Sequence, residues 1–401
     1  MTLEPAAPRV ISRELSARVR MLSHSPTSAM NQWVRAAGPD VIPFSAGESD
    51  LEPPAVALRA AREAVNAASA RYGAVEGELS LREAISRDSL ARRGVEHAPD
   101  QIFVGNGAKQ VLFALHQALL DPGDEVLIPG PIWPSYAEQI RVCGARPELV
   151  ATEWQRPMDR LAPLIERIGP NTKLVLLCSP ANPTGVVYDE PELRALARAA
   201  ARHGTFLICD EVYGRFIYDS KVGPSLLRVA PELREQIIIV DAISKGFAMP
   251  GFRVGWALAP RAVASACKAL QSHTVGHANM LAQHAATAAL NEGAAWVAEA
   301  RGTLEQRRNR LFDFLVSIPN VDVVTAQGGL YLFPCVARVA ERMGLPPNDD
   351  LAFAKRVLDQ VGCGVMPGSA FGAPGHVRLC FGLSDARLAE GIAGLARAFS
   401  C

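Results

Sequence analysis

From about residue 101 to residue 260 the chain alternates short apolar runs with stretches of helical periodicity. The runs are "QIFVG", "DEVLIP", "KLVLLCS", "TFLICD", "QIIIV" and "GWALA". Between them lie helical stretches such as "AKQVLFALHQALL" and "EPELRALARAAARHG", the second closed by a glycine as a helix C-terminus prefers. Uninterrupted Val, Ile and Leu describe strands covered on both faces, and their alternation with helices makes such strands parallel. The expected fold is therefore α/β: a mostly parallel mixed sheet with helices on both faces, binding ligands beyond the carboxyl ends of its strands. After residue 260 the character changes, with long helical patterns to about 317, then short strands "LYLFP" and "HVRLCF" among helices. That reads as a smaller α+β domain. The expected division is an N-terminal arm with part of the small domain over 1–48, a large α/β domain over 49–290, and the small C-terminal domain over 291–401.

Composition excludes several function classes. A chain of 401 residues, 49% hydrophobic, has ample material for two or three cores. Its 41 basic and 41 acidic side chains cancel, removing the footprint of a nucleic-acid binder. No apolar stretch approaches the ~20 residues that cross a bilayer, so no membrane partner is expected. The N-terminus "MTLEPAAPRVISRELSARVR" places proline, glutamate and arginine where a signal peptide needs apolar residues. The eight cysteines form no C-x-x-C pair, and Cys178 and Cys209 lie in apolar runs, as buried reduced thiols do. A cytoplasmic location is expected.

Four clusters fall at or just beyond expected strand ends. "GNGAKQ", residues 105–110, opens a helix with glycines but has neither dinucleotide nor P-loop spacing. Its backbone N–H groups would still favour an anion. Lys109 stands in the first turn, where a cation is disfavoured unless an anion is near; a solvated lysine is the plain alternative. "SPANPTG", residues 179–185, presents the Asn182 amide on an irregular turn, which simple turn chemistry also explains. In "LICDEVYG", Asp210 ends a buried strand and needs a cationic or hydrogen-bonding partner, with Tyr213 three residues on. "DAISKGFAMPGFRVG", residues 241–255, sets Ser244 and Lys245 at a strand end and Arg253 beside glycine. A lysine nucleophile, a carboxylate, an amide, a phenol and an arginine with a helix N-terminus form the inventory for pyridoxal phosphate: aldehyde, pyridine nitrogen and phosphate each find a partner.

In order and spacing these pieces resemble the class I/II aminotransferases of pyridoxal-phosphate fold type I, nearest the bacterial aspartate aminotransferase subgroup. "FSAGESD", "RYGAVEGELSLREAI", "PGPIWPSY", "QGGLYLF" and "VMPGSAFGAPGHVRLCFG" extend the likeness over nearly the whole chain. The resemblance implies that Lys245 binds the cofactor as a Schiff base and then moves the substrate proton, a task for an amine whose pKa can fall. It implies that Asp210 pairs with the pyridine nitrogen, that Asn182 and Tyr213 bond the phenolic oxygen, and that Trp133 stacks on the ring. Gly107, Ala108, Lys109, Ser244 and Arg253 would surround the phosphate, and Arg378 would grip the substrate carboxylate, with Gly47 allowing close backbone approach. Tyr72 matches a tyrosine that reaches the neighbouring subunit's phosphate, implying a homodimer with shared active sites. A serine or threonine common three residues before the lysine is here Ala242, which leaves open how the phosphate is held.

The resemblance further implies transfer of an amino group from an L-amino acid to a 2-oxo acid by a ping-pong mechanism. Lys109 and Thr27 match positions that bind a distal carboxylate in the subgroup, favouring aspartate or glutamate; prephenate, another dicarboxylate, fits the same argument. His24, His273 and His277 stand near the expected substrate region and point toward altered substrate choice. Gly276 interrupts the helix that an i, i+4 histidine metal pair would need, so no metal is expected. The same constellation serves transaminases of other amino acids, pyridoxal-phosphate lyases, decarboxylating types and oxidases. A regulator would carry a DNA-binding domain ahead of the match, where only about forty residues stand.

Overall fold

A computed structural model describes residues 16–20, 22, 26–67, 71–219 and 223–399. Its main sheet has seven strands: β1 (Ile102–Gly105), β2 (Glu125–Gly130), β3 (Arg146–Ala151), β4 (Thr172–Cys178), β5 (Phe206–Asp210), β6 (Ile237–Ala242) and β7 (Gly255–Leu258). The spatial order is β1-β7-β6-β5-β4-β2-β3. β3, β2, β4, β5 and β6 run parallel, while β7 runs antiparallel to both β6 and β1. Every apolar run read as a strand between 101 and 260 is one. Each residue of β1, β6 and β7 is buried, as strands covered on both faces must be.

β3 was not foreseen. "RPELVA" carries a proline and two charges, alternates between half-buried and exposed, and leaves Leu149 46% exposed. It pairs only with β2, and an edge strand needs no continuous apolar run. A second sheet, order β8-β10-β9, joins Tyr331–Leu332, Val377–Cys380 and Met366–Pro367, all antiparallel. Residues near 42 run beside residues near 363: Ile42 N–H donates to Gly362 O at 2.8 Å and Gly364 N–H to Ile42 O at 2.9 Å.

Register decides where the chemistry lies. Cys178, Asp210 and Val240 are level with one another at the carboxyl ends of β4, β5 and β6, and Ala242 is level with Gly255 and, across β7, Gly105. The segments leaving these ends therefore converge. The Glu190–His203 helix shows how locally consistent the supports are. Asp189 accepts from the Glu192 N–H at 2.9 Å while Glu192 returns a bond to the Asp189 N–H, and Gly204 ends the helix at φ 68°. Among the described residues no helix is long and apolar enough to cross a membrane.

Candidate active site

Beyond the carboxyl ends of β4 to β6 opens a cavity of about 340 Å³. Asp210, Asn182, Tyr213, Ser244, Lys245 and Arg253 line it from the large sheet. Trp133 comes from the loop after β2, Ala108 and Lys109 from the first turn of the helix after β1, Thr27 and Gly47 from the N-terminal segment, and Arg378 from β10. Residues spread over more than three hundred positions of sequence thus meet in one space. His24 lies outside the described residues.

Asp210 is 3% exposed at the tip of β5. Tyr136 donates its hydroxyl to Oδ2 at 2.8 Å and the Val212 N–H donates to Oδ1 at 3.2 Å. Burial outweighs both donors, and with the nearby Asp241 and Glu211 charges it pushes the carboxyl up to about 6. A buried carboxylate whose partners are only neutral donors is prepared for a cation.

Lys245 sits in the one-turn helix Ile243–Gly246 that starts where β6 ends, and its Nζ donates to Gly47 O at 2.7 Å. Burial first of all pulls its pKa down, against the opposing charge of Glu48. The neutral amine is thereby made more accessible. Arg378 has the complementary property. It is 5% exposed, gives Nη1 to Asn182 Oδ1 at 3.0 Å and Nη2 to Ser45 O at 3.0 Å, and stacks 4.1 Å from the Tyr331 ring centroid. Its Nε has no hydrogen-bond partner among the described residues, and its bonds go to neutral acceptors. Such a guanidinium has the geometry to suit a carboxylate.

The loop after β1 builds the opposite wall. Gly107 has φ 84°, and a Cβ there would lie 2.4 Å from Arg253 Nη2. A Cβ on Gly255 would lie 2.4 Å from the Ala108 nitrogen. Only glycine at both places lets Arg253 and the Ala108–Leu119 helix N-terminus share one spot, and that pairing suits a phosphate. Lys109 holds its Nζ 4.7 Å from the Trp133 ring centroid. Partial burial, then the Arg253 charge, lower its pKa.

Several expected residues stand differently from the rest. Tyr72 is 97% exposed, away from its own chain's cavity, with its ring edge-on to His277 at 5.7 Å. His273 is exposed just after the Arg261–Ser272 helix, and Gly276, at φ 80°, lies between the two histidines. Ala242 lines the cavity, its N–H bonded to Asp241 Oδ1 at 2.8 Å. Two functional aromatics had no signal of their own. Tyr136 bonds Asp210, and Tyr331 holds the Tyr213 hydroxyl at 3.0 Å and donates to Gly47 O at 3.2 Å. Both sit inside quoted motifs, but nothing local tells which acceptor a phenol will reach.

An α/β scaffold that brings a lysine, an unpaired strand-end carboxylate and an arginine receptor into one cavity defines a pyridoxal-phosphate enzyme acting on amino acids. Residues 39–395 match the family of class I and II aminotransferases, and the chain belongs to that family. It is 37% identical to a probable aspartate/prephenate aminotransferase of Aquifex aeolicus, covering 96% of this chain and 98% of that one. It is also 37% identical to an aspartate aminotransferase of Geobacillus stearothermophilus, covering 92% and 95%. The fold is similar to that of the Thermus thermophilus aspartate aminotransferase with maleate, at TM-score 0.89 and 34% identity over 96% of this chain and all of that one. The chain is a pyridoxal-phosphate-dependent transaminase of fold type I, taking amino acids and 2-oxo acids as substrates. The cation-seeking Asp210, the Lys245 amine of lowered pKa and the glycine-walled phosphate corner fit that cofactor.

Proposed function

We propose that this transaminase takes its amino group from aspartate or glutamate, with oxaloacetate or 2-oxoglutarate as acceptor. The observation that carries this reading is that one cavity is lined by Arg378, suited to the α-carboxylate, and by Lys109 and Thr27, suited to a distal one. The names of the relatives agree with it.

The bound cofactor supplies an aldehyde for Lys245 and an electron sink for the substrate carbon. The chain's own residues do the remainder. Lys245 Nζ would hold the cofactor and, once free, would take the proton from the substrate's Cα and deliver it to the carbon that carried the cofactor's aldehyde. Asp210 keeps a proton on the ring nitrogen, since a carboxylate with no other cation gains most by facing one. Tyr136 orients Asp210. Asn182 Oδ1 accepts from Arg378, which leaves its Nδ2 donors for the cofactor; with the Tyr213 hydroxyl they would bond the phenolic oxygen, and Trp133 would stack on the ring. Arg253, Ser244 and the Gly107 and Ala108 N–H groups would hold the phosphate. Ala242 adds no hydroxyl there. Gly47 and Arg378 orient the substrate so that the Cα proton points to Lys245.

Two copies complete the site: Tyr72, exposed beside His277, belongs to the phosphate corner of a second subunit. The division at 48 and 290 fits the two sheets, which lie on either side of the second boundary. A reducing, cytoplasmic setting suits free thiols such as the buried Cys178, Cys209 and Cys267.

The test is a panel of amino acids against the loaded protein, following conversion of the cofactor to its aminated form. Aspartate and glutamate should react fastest. In Lys109→Ala the Michaelis constant for aspartate should rise about tenfold, the worth of one charge-assisted contact, with alanine unaffected. Equal effects on both substrates would remove the acidic-substrate reading.

A further inference from the structure

Two phenols in the site share their hydroxyls, and a bound cofactor changes how they must share them. Tyr331 opens β8 and lines the cavity, only 1% exposed. Its ring centroid lies 4.1 Å from the Arg378 guanidinium and 5.7 Å from the Tyr213 ring, which it meets edge-on. Its oxygen stands 3.0 Å from that of Tyr213 and 3.2 Å from Gly47 O. Gly47 O also receives Lys245 Nζ at 2.7 Å. One hydrogen-bonded chain therefore joins Tyr213, Tyr331, Gly47 and Lys245.

The protons in this chain can be counted. A carbonyl only accepts, so the contact at Gly47 O uses the Tyr331 proton. A hydroxyl has one proton to give, so the bond between the two phenols is donated by Tyr213. Burial pushes both phenols up, Tyr213 well above its ordinary value, and neither loses its proton near neutral pH. The other titratable groups acting on the pair are Cys178, Cys380 and Arg378. Burial keeps both thiols neutral, and a guanidinium is charged throughout. Lys245, with the charge of Glu48 near it, faces the Gly47 end.

Cofactor loading, with Tyr213 as the phenolic-oxygen donor proposed above, breaks this order. Once Tyr213 turns its proton to the cofactor, two oxygens 3.0 Å apart have nothing between them, and only the Tyr331 proton can fill the gap. Turning a phenolic O–H about its C–O bond moves no heavy atom. We propose that Tyr331 is a positioning residue whose hydroxyl proton turns from Gly47 O to Tyr213 when the cofactor is bound, making Tyr213 the stronger donor to the phenolic oxygen. A hydroxyl that accepts one bond donates the next more strongly, by ~10–30%.

The experiment follows the visible absorbance of the cofactor-loaded enzyme against pH, which reports the proton on the nitrogen joining Lys245 to the cofactor. A donor on the phenolic oxygen competes with that proton, so weakening the donor should move the midpoint up. Tyr213→Phe should raise it by about one to two units, the worth of a hydrogen bond to a charged oxygen. Tyr331→Phe keeps the ring against Arg378 and should raise it by ~0.2–0.6 unit. In the double variant the midpoint should equal that of Tyr213→Phe alone, since Tyr331 acts only through Tyr213. An unchanged midpoint in Tyr331→Phe, beside a shifted one in Tyr213→Phe, overturns this inference and leaves the Tyr213 reading standing. So does a Tyr331→Phe shift that is the same with and without the Tyr213 hydroxyl. No shift in Tyr213→Phe removes both.

Discussion

Asp210 and Glu211 are consecutive and both buried, 3% and 5% exposed, yet their surroundings are opposite. Asp210 points into the cofactor cavity with only a phenol and an amide N–H for company. Glu211 points the other way and is paired with Arg93, which also reaches Asp241 and Asp88. Asp241 is as enclosed as Asp210, but there Arg92, Arg93 and Arg215 overcome the penalty of burial and lower its pKa, whereas that of Asp210 rises. One strand end thus separates charge that the protein neutralises itself from charge that it keeps for a ligand. Burial does not distinguish the two; the partner does.

The largest effect that bears on this contrast is at Lys245. Lys245→Ala should cut turnover by ~10²–10⁴-fold or more, the size of a lost acid–base group, and borohydride should no longer fix cofactor to the protein. Turnover near wild type would mean that the cofactor side of the strand ends is not where the chemistry happens. On the other side, Arg93→Met leaves three carboxylates short of a partner and should cost about 3–5 kcal/mol in chemical denaturation of the cofactor-free protein. Asp210→Asn, measured the same way at pH 8, should cost nothing, because it removes an uncompensated buried charge. If the two variants lose the same stability, the division between scaffold and ligand charges is wrong.

How much of this was legible in sequence follows the same line. Apolar runs announced six of the seven main strands, and β3 escaped because an edge strand can be half polar. Lys245 and Asp210 stood out because a charge that ends an apolar run has to be explained. Arg378, inside the run "HVRLCF", was placed by the resemblance instead. Tyr136 and Tyr331 did not, since an aromatic inside a core segment looks alike whether or not its hydroxyl has a task. The buried ion-pair network around Arg93 was beyond reach. Arg92 and Arg93 close a helix before glycine, where cations are ordinary, and Glu211, Arg215 and Asp241 lie far away in sequence. Only the fold shows that they meet.

The finest probe of the contrast is Tyr136→Phe, which removes one hydroxyl from the ligand side. In the cofactor-free protein the Asp210 carboxyl titrates near 6, raised from its ordinary value, so its contribution to stability is present below about pH 4 and lost as pH rises through 6. Cofactor binding needs the carboxylate, so below pH 6 a proton must first leave and affinity should fall as the medium acidifies. The Tyr136 hydroxyl favours the ionised form; without it the carboxyl rises further and the fall in affinity begins at higher pH. At pH 7 the variant should bind pyridoxal phosphate about two- to threefold more weakly, since a hydrogen bond worth ~1.5–2 kcal/mol raises the carboxyl by little more than one pKa unit. Near pH 8 the two proteins should converge. The cofactor's own phosphate also titrates near 6, but it does so equally in both, so the readout is the difference between the two curves. Coincident curves would show that Asp210 is set by burial alone and that Tyr136 is only packed beside it.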